Sequence, residues 1–75
     1  MILDLHNQTR FSSRILLKKT INEYLNKEKI HIIVGRGLHS PNKKPVIKNF
    51  VINYLKSKNI LYTICEKSKG GVIII

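Results

Sequence analysis

The sequence predicts an α/β fold: a two-layer sandwich of β-α-β-α-β-β order, with two helices on one face of a four-stranded mixed sheet. Three observations carry this. Four short runs, 2–6, 30–34, 60–65 and 71–75, are β-branched or alternate apolar with polar residues. Two longer segments between them space their apolar residues at helical intervals. A chain of 75 residues has room for one core. All six elements therefore share it, in a single domain spanning 1–75.

The first strand covers 2–6. Leu3 and Leu5 share one face; Ile2, Asp4 and His6 share the other. Asn7-Gln8 breaks it, and Thr9 is a fitting N-cap for a helix over 11–27. There Leu16, Leu17, Thr20, Ile21, Tyr24 and Leu25, with Ser13, fall on one half of the wheel. Lys18, Lys19, Asn22 and Glu23 fall on the other, and Ile15 lies outside the apolar arc. The run "IHIIV", 30–34, predicts a central strand covered on at least one face.

Next comes "GRGLHSPNKKP", a loop by its Gly, Pro, Ser and Asn content. A second amphipathic helix is predicted over 43–57, from Val46, Ile47, Phe50, Val51, Tyr54 and Leu55. Pro45 suits its first turn and Asn42 its N-cap. Strands over 60–65 and 71–75 close as a hairpin around 66–70. A helix between the first two strands makes them parallel, with a right-handed crossover.

Fourteen Lys and Arg face four acids, a formal +10, and the cations run along the whole chain. That profile fits a polyanion partner, DNA or RNA, far better than a membrane. No apolar run reaches the length of a membrane span, and no leader-like apolar segment follows Met1. A single cysteine, Cys65, excludes an intramolecular disulfide. A soluble, intracellular protein is expected. Cys65, Tyr24 and Tyr54 are expected in the core, and His31, within a strand, is expected to be structural. Tyr62 is a candidate for stacking on a base.

Parallel α/β units bind ligands beyond the carboxyl ends of their strands. Those ends carry Asp4-x-His6 and Gly35-Arg36-Gly37-Leu38-His39-Ser40. Gly35 and Gly37 permit close approach of backbone N–H groups to a phosphate, and Arg36 adds a fork suited to its oxygens. Ser40, Lys43 and Lys44 extend the cationic loop. His6 and His39 are candidate general acid and base. Asp4 either orients His6, accepts a metal, or serves only to pin the glycine loop. Glu23, Glu28 and Glu66 fall away from this edge, so a two-metal centre lacks its carboxylates. No Cys/His spacing fits zinc. No cofactor is required by the sequence, and at most one Mg²⁺ is expected. On RNA the 2′-OH serves as nucleophile; DNA nicking needs an activated water.

"LDLH" near the start, a helix opening at Thr9, then "IIVGRGLHS", a second amphipathic helix and a terminal "GGVIII" resemble the Smr (small MutS-related) domain over essentially the whole chain. The "GRGxHS" loop looks like the eukaryotic type. The resemblance implies a sandwich similar to the C-terminal domain of bacterial translation initiation factor three. It implies nucleic-acid binding and, in several members, endonuclease activity, with Leu3, Asp4 and His6 implicated in cleavage and Gly35, Arg36 and Gly37 in activity or binding. It also implies that the chain is either a module of a larger protein or a stand-alone one. Two positions depart from the pattern: Asn7 replaces a glycine, and Val34 stands where bacterial types have a histidine. The expectation is thus an endonuclease, with a non-catalytic DNA- or RNA-binding module as the alternative and a protein-interaction domain as a third reading.

Overall fold

The computed structural model describes residues 1–6, 8–35, 46–65 and 71–75. The elements follow the predicted order: β1 (Ile2–Asp4), α1 (Arg10–Tyr24), β2 (His31–Ile33), α2 (Val46–Ser57), β3 (Thr63–Ile64) and β4 (Val72–Ile74). They build one four-stranded sheet in the order β1-β2-β4-β3. β1 and β2 are parallel, while β4 runs antiparallel to both β2 and β3. The terminal hairpin therefore inserts its second strand between β2 and β3, which makes the sheet mixed.

Registers align Leu3, Ile32, Ile73 and Ile64 in one row across the sheet. Leu3, Ile32 and Ile73 are buried, together with Leu5, Ile30 and Val34. Leu17 and Ile21 of α1 and Val51 and Leu55 of α2 join them in one core cluster. Both helices thus cover the same face. On the opposite face Ile2, Asp4 and Thr63 are exposed, and His31, Ile33, Val72 and Ile74 are half-buried. The period-2 pattern of 2–6 anticipated this division.

The predicted spans are longer than the observed ones, and the termini have local causes. Thr9 caps α1 as expected: its backbone is extended, and its Oγ1 accepts from the Ser12 N–H at 3.1 Å. The helix stops at Tyr24, not Lys27, because Asn26 takes φ +73°. Asparagine is among the few residues that enter this region readily. Asn59, at φ +57°, turns the chain in the same way after α2. Leu5 adds a further bond to the ladder, its N–H donating to the Ile33 carbonyl at 2.7 Å.

α2 is described from Val46, so Asn42 and Pro45 lie outside the described residues, as does the connection over 66–70. Two placements are corrected. Leu16 is exposed, because the buried stripe of α1 is the narrower set Ser13, Leu17, Thr20 and Ile21. Tyr62 packs against the core and is not a free stacking platform. Tyr24 and Tyr54 pack partly buried on the core, as expected, and Cys65 is half-buried. Among the described residues no helix is long and apolar enough to cross a membrane.

Candidate nucleic-acid site at the carboxyl edge of the parallel strands

Asp4 ends β1 opposite Ile33 of β2. Continuing that parallel register by two residues brings His6 opposite Gly35. The side chains agree: a Cβ built on Gly35 would lie 3.6 Å from the His6 Cβ. Asp4-x-His6 therefore meets Gly35, the described residue of the glycine loop, at the carboxyl edge and on the face of the sheet away from the helices.

Buried Leu3 and Leu5 fix the alternation. With both leucines turned to the helices, Asp4 and His6 must turn outward, and their side chains are 48% and 52% exposed. Asp4 Oδ1 accepts from the His6 backbone N–H at 3.1 Å and is hydrogen-bonded to the His6 ring at Nδ1. The bond to the His6 ring holds the Asp4 carboxyl below its ordinary pKa; slight burial opposes this, and the backbone N–H of His6 supports it. An ionised carboxylate only accepts hydrogen bonds. In the neutral imidazole Nδ1 therefore carries the proton, and Nε2 is left as an acceptor with a free lone pair. This contact holds the ring in place and favours the tautomer protonated at Nδ1.

Gly35 adopts φ +73° and closes β2, its N–H donating to the Gly71 carbonyl at 3.3 Å alongside that of Val34 at 2.9 Å. The space beside it accepts a methyl group in ordinary van der Waals contact, so its glycine character answers to the backbone. Left-handed backbone costs other residues about 1–2 kcal/mol. Gly35→Ala is expected to lower the melting midpoint followed by circular dichroism by roughly 5–15 °C, given the size of the domain. Gly35→Asn is expected to lower it less, since asparagine tolerates this region. Equal midpoints for Gly35→Ala and the parent would refute the backbone argument.

The connection from the pair to α1 is short and tied down. The Gln8 N–H donates to the Leu5 carbonyl at 3.1 Å, and the Ser12 hydroxyl donates to Gln8 Oε1 at 3.1 Å. Sequence reasoning did not assign Gln8 and Ser12 this role; a polar run before a helix is the only signal they give. Arg36, Gly37, His39, Ser40, Lys43 and Lys44 lie outside the described residues.

Glu28 sits at the opposite edge, 2.9 Å from the Met1 amino group at the start of β1. Glu23 is exposed near the end of α1. Asp4 thus meets no second described carboxylate. Among the described residues no three His, Cys, Asp or Glu side chains converge as metal ligands would.

Fold and site together define a small α/β module that presents one oriented acid–imidazole pair beside a strand-ending glycine. The family model of the Smr domain matches residues 3–72, and the chain belongs to that family. No curated protein and no solved structure gives a significant match.

Proposed function

We propose that the protein is an Smr-type endonuclease whose general base is His6, oriented by Asp4. The carrying observation is the hydrogen bond between Asp4 Oδ1 and His6 Nδ1, which leaves Nε2 free at an exposed edge. On RNA, Nε2 takes the proton of a 2′-OH. The 2′-oxygen attacks the adjacent phosphorus, the bond to the 5′-oxygen breaks, and that oxygen takes a proton from an acid. The products are a 2′,3′-cyclic phosphate and a 5′-OH end. His39 is the proposed acid, and Arg36 with the Gly35 and Gly37 backbone the proposed phosphate cradle. On DNA the same base takes its proton from water. Asp4 is the one carboxylate among the described residues at this edge, which favours acid–base chemistry over a two-metal centre.

The test is cleavage of plasmid DNA and folded RNA by the purified protein, in Mg²⁺ and in EDTA, with product ends identified. Cyclic phosphate ends formed in EDTA are the expected result. Cleavage of RNA to 3′-OH ends, or only in Mg²⁺, would sink the mechanism.

The formal charge of +10 favours a second reading, a binding module that holds phosphates without cutting. Both readings require affinity that falls steeply with salt. About three phosphate contacts give roughly a tenfold loss for a fourfold rise in salt. Affinity indifferent to salt contradicts both; salt-sensitive affinity without cleavage selects the second.

A further inference from the structure

We propose that the outward face of α1, led by Phe11, is a docking strip for single-stranded nucleic acid, with Phe11 stacking on one unpaired base. The proposal rests on the reading of the carboxyl edge as a nucleic-acid site. Phe11 is 77% exposed, in the first turn of the helix. Ile15, one turn later, is 55% exposed, and both lie away from the buried stripe of Ser13, Leu17, Thr20 and Ile21. Helical spacing makes Arg14 and Ile15 the neighbours of Phe11, and Lys18 the next residue along. Ile15, Lys18, Lys19, Asn22 and Glu23 line one shallow depression on this face, its single carboxylate at the end far from Phe11.

Charge identifies the occupant. Arg10, Arg14, Lys18 and Lys19 are all exposed, and no acid occurs between Asp4 and Glu23. A cation in the first turn is where the helix macrodipole disfavours it, and α1 has no acid there to compensate. An exposed aromatic beside an uncompensated cation breaks two local rules at one spot, as functional surfaces do. An apolar protein partner would account for Phe11 and Ile15 but not for four cations. Aromatic platforms flanked by Lys and Arg along a backbone track are how single strands are held without sequence readout.

Position selects single strands over duplex. Four residues separate His6 from Phe11, five steps along the chain, so their Cα atoms lie within about 18 Å, a span of a few nucleotides. Yet His6 projects on the open face of the sheet, and Phe11 on the outer face of the helix layer. A strand touching both must bend around the carboxyl edge. Duplex DNA, with a persistence length of about 50 nm, resists such a turn, and its bases offer no free face.

The experiment measures anisotropy of labelled 2′-O-methyl oligonucleotides of about twelve residues, which cannot be cut through the 2′-oxygen, as single strands and as duplexes. The parent is expected to prefer the single strand. Phe11→Ala should lose about five- to a hundredfold in single-strand affinity, the range of one base–aromatic stack, with little change on duplex. Phe11→Tyr should retain affinity, and Phe11→Leu should behave like the alanine variant. Melting curves of all variants should match the parent, since the side chain is outside the core. Unchanged affinity in Phe11→Ala, an equal loss on duplex, or full retention by Phe11→Leu would each overturn the proposal, the last pointing to an apolar contact with a protein. A parent that binds neither strand nor duplex removes the underlying nucleic-acid reading as well. A parent that binds both but ignores Phe11 removes this proposal alone.

Discussion

His6→Ala is expected to leave a folded domain that holds nucleic acid and cuts it about 10²–10⁴-fold more slowly, the usual worth of a positioned general base. The fold should survive because the His6 side chain is half exposed and lies on the uncovered face of the sheet. Binding should survive because the cations are elsewhere. Asp4→Asn is the subtler variant. An amide offers His6 both a donor and an acceptor, so the ring is no longer held with its proton at Nδ1. Cleavage should fall with little change in the melting curve.

The pH dependence of stability reports on Asp4. The Asp4 carboxyl is held below its ordinary value by the bond to the His6 ring, so it stays ionised in acid where a free carboxyl would protonate. Its stabilising contribution is present above the unfolded-state value and disappears only as pH falls through the lowered folded one. Stability followed by denaturant titration should therefore lose its Asp4 contribution only in strong acid, and Asp4→Asn should lack that acid limb. Equal cleavage by the parent and both variants would place the chemistry elsewhere.

Periodicity made most of the architecture legible. Leu3 and Leu5 against Asp4 and His6 is a two-residue alternation, and it correctly assigned the buried and open faces of β1. The meeting of that strand with Gly35 followed from topology, since a helix between two strands makes them parallel neighbours. The insertion of β4 between β2 and β3 was not legible. A hairpin pattern says that β3 and β4 pair, but not which of them pairs with the rest of the sheet. Helix ends were missed where a left-handed asparagine decides, because Asn26 resembles any polar helical residue until its φ is known. The tautomer of His6 was out of reach too: Asp-x-His spacing permits the contact, but only the turn after Asp4 brings Oδ1 to both the ring and the backbone N–H.

Leu5→Ala is expected to carry the largest stability cost near the site. Leu5 is fully buried between two exposed residues, with its N–H bonded to Ile33 and its carbonyl to Gln8. Truncating a buried leucine costs about 2–5 kcal/mol. A domain of 75 residues has roughly 4–11 kcal/mol in all. The variant should thus lose roughly a fifth or more of its stability, and denaturant titration reads this directly. Ile73→Ala is the control. Ile73 is equally buried, at the middle of β4, bonded into the ladder between β2 and β3 rather than beside the acid–imidazole pair.

Both variants should melt early, but at a temperature where both remain folded only Leu5→Ala should cut slowly. The reason is geometric. Leu5 is the anchor that turns its two neighbours outward, and with a cavity beneath it the strand end shifts, so that Asp4 and the His6 ring no longer hold their mutual register with Gly35. Small displacements of positioned groups cost catalysis far more than they cost binding. Cleavage reduced equally in the two variants would mean that general loosening, and not the Leu5 anchor, governs the pair.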